Sequence, residues 1–78
     1  MKMSQILEIL QELRPDSDFE ASKDFIADYL LDSFDIMSLT SELEEKFGIQ
    51  IQTNDILPEN YVSVDAMADL VRKSGGAL

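Results

Sequence analysis

The chain has 78 residues and an apolar fraction of 45%, which bounds it to one globular domain near the lower limit for folding without staples. Sixteen acidic residues against six basic ones give a formal charge of −10, which disfavours nucleic acid and membrane and favours salt-sensitive encounters with basic protein surfaces. There is no cysteine and no histidine, so disulfides, an intrinsic thiolate, the commonest general base and most zinc sites are excluded.

A core of this size contributes roughly 3–5 kcal/mol net, so nearly every large apolar residue is needed inside. No apolar run approaches the ~20 residues of a membrane span, and the N-terminus has no signal-peptide apolar region, so the expected location is cytoplasmic.

Met3 to Arg14 reads as a first helix. Met3, Ile6, Leu7, Leu10 and Leu13 recur at three- and four-residue steps on one stripe, with Gln5, Glu8, Gln11 and Glu12 on the other faces. Pro15 stops it, because the residue before a proline is pushed out of the α region. Asp16 to Leu31 is then a long connection, expected to be anchored by Phe19, Phe25, Ile26, Tyr29, Leu30 and Leu31, with a short helical turn over 25–31. Its opening, Asp16-Ser17-Asp18-Phe19-Glu20, is similar to the start of a calcium loop. Ala21 at the sixth position and Ala27 at the twelfth exclude an EF-hand, and no metal site is expected.

A second helix is expected over Ser33–Phe47. Asp32 or Ser33 can cap it, and Asp35 in its first turn suits the positive end of the helix dipole. Ile36, Leu39, Leu43 and Phe47 form its inner stripe, while Glu42, Glu44, Glu45 and Lys46 are expected to face water. Gly48 supplies a left-handed stop, and Ile49 and Ile51, alternating with Gln50 and Gln52, are expected to pin an extended segment on the core. Residues 55–60 read as one short turn of helix, started near Asp55 and limited by Pro58. Tyr61 and Val62 lead to a last helix capped by Ser63, with Val64, Met67, Ala68 and Val71 inward, Leu70 at the edge, and Arg72 and Lys73 at the end that favours cations. Residues 74–78 are expected to form a flexible tail. The fold class is all-α: a single domain over 1–78, a small bundle of three principal helices plus one short helix, with a long first loop.

The stretch with chemistry in it is Leu31-Asp32-Ser33-Phe34-Asp35. A helix start offers unpaired N–H groups and partial positive charge, a seat for a phosphate carried on the Ser33 hydroxyl. Asp32 and Asp35 flank it and can help an incoming enzyme place a divalent metal or a basic contact, while Phe34 and Met37 add apolar contact surface. The other reading is that Ser33 is an ordinary N-cap.

That stretch, followed by Leu39, Leu43-Glu44-Glu45, Phe47 and Ile49-Gln50-Ile51, resembles the acyl carrier protein family of phosphopantetheine-binding carriers over nearly the whole chain. The resemblance implies that a phosphopantetheinyl transferase places a 4′-phosphopantetheine arm from coenzyme A on Ser33, with Mg²⁺ held largely by the transferase. It implies an arm that holds an acyl or aminoacyl group as a thioester, in fatty-acid or specialised acyl biosynthesis. The chain itself is then a non-catalytic, cytoplasmic, monomeric phosphoprotein that acts with partner enzymes. Asp32, Phe34 and Asp35 stand beside the attachment point, and Asp35 matches a family position that helps transferase recognition. Ile36, Met37, Glu44 and Glu45 fall on the face that docks on basic patches of loading and downstream enzymes. Phe34 stands where leucine is usual, Ser38 where many fatty-acid carriers have glutamate, and Lys46 reverses a sign, so this face is less acidic than in fatty-acid carriers.

Two other classes compete with the carrier. An acidic helical interaction module without a prosthetic group would bind a basic partner with Ser33 dispensable. A freestanding enzyme lacks room for a substrate-sized pocket in so small a bundle. Leu43, Ile49, Ile51, Ile56, Met67 and Val71 are expected to converge, either as a soft side that admits an acyl chain between the second and last helices or as a filled core.

Overall fold

The computed structural model describes the backbone of residues 2–76 and side chains from Ser4 onward. The Met3 side chain, expected on the first stripe, and Ala77 and Leu78, expected in the tail, lie outside that description. Among the described residues, three α-helices carry the fold: α1 (Lys2–Leu13), α2 (Ser33–Phe47) and α3 (Val64–Lys73).

The α1 stripe is inside as its spacing requires, with Ile6 and Leu10 fully buried and Leu7 and Leu13 packed against them. Ile9 is also only 2% exposed, because α1 packs on both α2 and α3 and so buries a face wider than one stripe. The long connection is tied down at several points. Phe19 and Phe25 meet edge to face with ring centroids 5.1 Å apart, and the Phe25 N–H donates to the Val62 carbonyl at 2.8 Å. A 3-10 turn at Phe19–Ala21 is capped by Asp18, and the Asp24 carboxylate accepts the N–H groups of Ile26 and Ala27 to start a turn at Phe25. Tyr29, expected to anchor this loop, does not: it is 93% exposed with φ +59°. Its N–H returns to Ile26 and that of Leu30 to Phe25, a Schellman closure that places residue 29 in the left-handed region and turns its side chain outward.

Helix α2 occupies Ser33–Phe47 as expected, with Ile36, Leu39 and Leu43 buried and Phe47 partly so. Gly48 closes it with φ +63°, and the N–H groups of Gly48 and Ile49 both donate to the Glu44 carbonyl. Thr40 is buried on the same helix; its hydroxyl donates to the Ile36 carbonyl at 2.8 Å and so accepts from the buried Tyr61 hydroxyl. Ile51 is buried and Ile49 half-buried, as the alternation implies.

The single short helix expected over 55–60 is replaced by two 3-10 turns, Thr53–Asp55 and Pro58–Tyr61. Pro58 opens the second turn instead of limiting one, since its fixed φ suits a first helical position and it has no N–H to lose there. The Ser63 hydroxyl caps α3 by accepting from the Ala66 N–H at 3.0 Å. Leu70, expected at the edge, is 2% exposed, because α1 and the Pro58–Tyr61 turn cover α3 from two sides. Past α3, the N–H groups of Gly75 and Gly76 return to the carbonyls of Arg72 and Val71, so residues 74–76 of the expected tail are wound back on the helix end.

Candidate functional site at the head of α2

Ser33 is the first residue of α2, and its side chain is exposed. It does not cap the helix. That place is taken by Asp32, whose carboxylate accepts the Asp35 N–H at 3.0 Å while the Asp35 carboxylate accepts the Asp32 N–H at 3.0 Å. This reciprocal capping box satisfies two of the four orphan donors of the helix and leaves the N–H groups of Ser33 and Phe34 at its head. The contrast with Ser63 is direct: one serine caps its helix, whereas the Ser33 hydroxyl has no hydrogen-bond partner among the described residues.

Asp35 does not stand open beside Ser33, as the sequence suggested. It is 3% exposed and turned toward the end of α1, where Arg14 Nε lies 3.2 Å from each carboxylate oxygen and Arg14 Nη2 lies 2.8 Å from Oδ2. Two pulls account for this: the capping box draws the carboxylate back to the Asp32 N–H, and Arg14 supplies the charge that makes its burial tolerable. Burial pushes the Asp35 carboxyl up, but the Arg14 hydrogen bonds, the Asp32 N–H and the Arg14 charge together hold it below its ordinary 3.8. The hydrogen bond and charge of Asp35 in turn raise the Arg14 guanidinium. Asp32 is exposed, with Oδ2 3.7 Å from Arg14 Nη2. Arg14 is the member of this network that the sequence reading missed. Its signal was faint: it is the one basic side chain between Lys2 and Lys23, in a stretch rich in acids.

Around this centre, Phe34 is 75% exposed and Met37 69% exposed, two large apolar side chains in water on the first turns of α2. Ile36, expected on the docking face, is instead 6% exposed and part of the core, because its position shares the inward stripe with Leu39 and Leu43. Glu44, expected to face water, is half-buried and accepts the Ile51 N–H at 2.9 Å, so it fastens the segment after α2. Glu42, Glu45 and Lys46 are exposed and Ser38 half-exposed. No cluster of three or more acidic residues able to hold a metal occurs among the described residues. Of the residues expected to converge between α2 and α3, Leu43, Met67 and Val71 are fully buried and Ile51 is 5% exposed. Two shallow grooves lie elsewhere on the surface. One is a space of about 350 Å³ between α1 and α2, floored by Ile9 and Leu13, and the other is about 440 Å³ beside Phe19 and Val64. No helix is long and apolar enough to cross a membrane among the described residues.

An exposed, unpartnered hydroxyl beside two leftover backbone donors suits a phosphodiester: its oxygens can accept those N–H groups and the helix dipole favours its charge. The family model described as phosphopantetheine attachment site matches residues 4–71. No curated protein and no solved structure matches the chain. With that match over most of its length, the chain belongs to the phosphopantetheine attachment site family, the carrier domains to which 4′-phosphopantetheine is covalently bound.

Proposed function

We propose that Ser33 is the attachment point of the arm and that the protein carries an acyl or aminoacyl group to partner enzymes, as a cytoplasmic monomer without catalysis of its own. The observation that carries this reading is the division of labour at residues 32 and 33. Asp32 does the capping, which leaves the Ser33 hydroxyl exposed and unbonded at the head of a helix. The arm supplies a terminal thiol that holds cargo as a thioester, a group that a chain without cysteine does not have. The chain's own part is to present the hydroxyl, to offer the N–H groups of Ser33 and Phe34 to the phosphate, and to dock on enzymes with basic patches.

For docking, Phe34, Met37, Glu42 and Glu45 are exposed on α2, and they form the surface we assign to partners. Glu44 and Ile36 support that surface from inside. A phosphopantetheinyl transferase is the first such partner. Intact-protein mass after incubation with coenzyme A, Mg²⁺ and a broad-specificity transferase tests the reading. The expected result is a gain of one phosphopantetheine, absent in Ser33→Ala. That variant should keep its stability to within about 0.5 kcal/mol, because the cap belongs to Asp32. Loading of Ser33→Ala would overturn the assignment.

A further inference from the structure

We propose that Arg14 is a positioning residue for the loading of Ser33, acting through Asp35 and the capping box; the inference rests on Ser33 as the attachment point. The network closes on itself. Arg14 holds both oxygens of Asp35, the Asp35 carboxylate holds the Asp32 N–H, and the Asp32 carboxylate holds the Asp35 N–H. Ser33 thus sits between residues whose backbone is clamped from one point, and that point belongs to another helix. Arg14 is itself fixed: its N–H continues α1 by donating to Leu10 at 2.9 Å, and Pro15 follows it.

The charges explain what happens without it. Asp32 and Asp35 face each other across the box, and Arg14 is the cation that reaches both, at 3.7 Å and 2.8 Å. With Arg14 removed, a carboxylate that is 3% exposed loses its counter-ion in the interior, and its remedy is to swing out to water. That movement takes the acceptor from the Asp32 N–H, loosens the box, and places a second negative charge beside the hydroxyl that must meet a phosphate. Because Asp35 is buried, a transferase cannot read its carboxylate by contact. Its influence on loading passes through the geometry of residues 32–35.

The effect belongs on the chemical step and not on docking, because Met37, Glu42 and Glu45 are exposed and lie outside the clamped residues 32–35. Steady-state loading by a phosphopantetheinyl transferase, with this protein as the varied substrate, separates the two. Arg14→Gln should lower kcat about tenfold with KM for the carrier unchanged within about twofold, the penalty of a misplaced acceptor. Its amide exchange should quicken at Asp32 and Asp35 in particular, with far-UV circular dichroism retained. Arg14→Lys, a point charge without the fork, should recover part of the rate. If Arg14→Gln fails to fold, Arg14→Lys alone carries the test through its reduced kcat at unchanged KM. An unchanged kcat in both variants, or a rise in KM alone, would overturn the proposal while leaving Ser33 as the attachment point. Loading of Ser33→Ala in the same assay would overturn the attachment point and this inference with it.

Discussion

Among the described residues, Tyr29, Gly48 and Gly75 have positive φ, at +59°, +63° and +100°, and they occupy equivalent places. Each precedes a residue whose N–H reaches back five positions, Leu30 to Phe25, Ile49 to Glu44 and Gly76 to Val71. Two of the three sites have the residue without a Cβ that this geometry favours. The third has a tyrosine that is 93% exposed, so its ring recovers little by packing. A side chain in the left-handed region costs roughly 1–2 kcal/mol, and the greater freedom of glycine in the unfolded chain takes back roughly half of what removing it would gain. Tyr29→Gly should therefore stabilise the fold by about 0.5 kcal/mol. The check is the midpoint of urea unfolding at unchanged slope. A lower midpoint would show that the ring packs on the fold after all.

Helix α2 shows at the element scale which parts of this protein were legible in the sequence. Its bounds were, because Asp32 or Ser33 offers a cap, Asp35 suits the positive end of the dipole and Gly48 supplies a left-handed stop; that Asp32 caps, in a reciprocal box with Asp35, came from the structure. The Ser63 cap and the inward stripes of α1 and α3 were legible for the same local reasons. What failed was pairing across the chain. Arg14 with Asp35 and Thr40 with Tyr61 are each 21 residues apart, and a helical period carries no information about which polar groups meet at that distance. Apolar character alone also misled at Tyr29 and hid the burial of Ile9, because local pattern does not report how many neighbours an element has. The adjacent acids Glu44 and Glu45 are the sharpest case. Alike in sequence, they differ in that Glu44 holds the N–H of buried Ile51 while Glu45 is exposed. Glu44→Ala leaves that N–H without its acceptor and should cost about 1–2 kcal/mol, whereas Glu45→Ala should stay within about 0.5 kcal/mol. Denaturant midpoints of the two variants check this, and equal costs would show that the Glu44 bond contributes nothing net.

For the whole molecule, two polar pairs, Arg14 with buried Asp35 and buried Thr40 with Tyr61, bear on opposite edges of the pH range of stability. A net charge of −10 means that acidification first relieves repulsion across the surface, so the raw pH profile mixes that gain with every local loss. Differences between variants isolate the groups. Asp35 is pushed up by burial but held lower by Arg14 and the Asp32 N–H, ending below 3.8. A depressed carboxyl contributes stability that is present above its unfolded value and lost as pH falls through the folded one. Tyr61 is displaced the other way: burial raises its phenol above 10.0, and the charges of Glu44 and Asp55 add to the rise. A raised phenol contributes stability that is intact below its unfolded value and lost as pH rises through the folded one. Melting temperatures of the parent, Asp35→Asn and Tyr61→Phe across about pH 2 to 11 should therefore diverge in opposite windows. The gap between parent and Asp35→Asn should be steady at neutral pH and close as pH falls below 3.8. The gap between parent and Tyr61→Phe should be steady through the same neutral range and close only above 10.0. An Asp35→Asn gap that persisted into acid would mean that the carboxylate matters for its shape, and the charge linking α1 to the head of α2 would lose its role in holding Ser33.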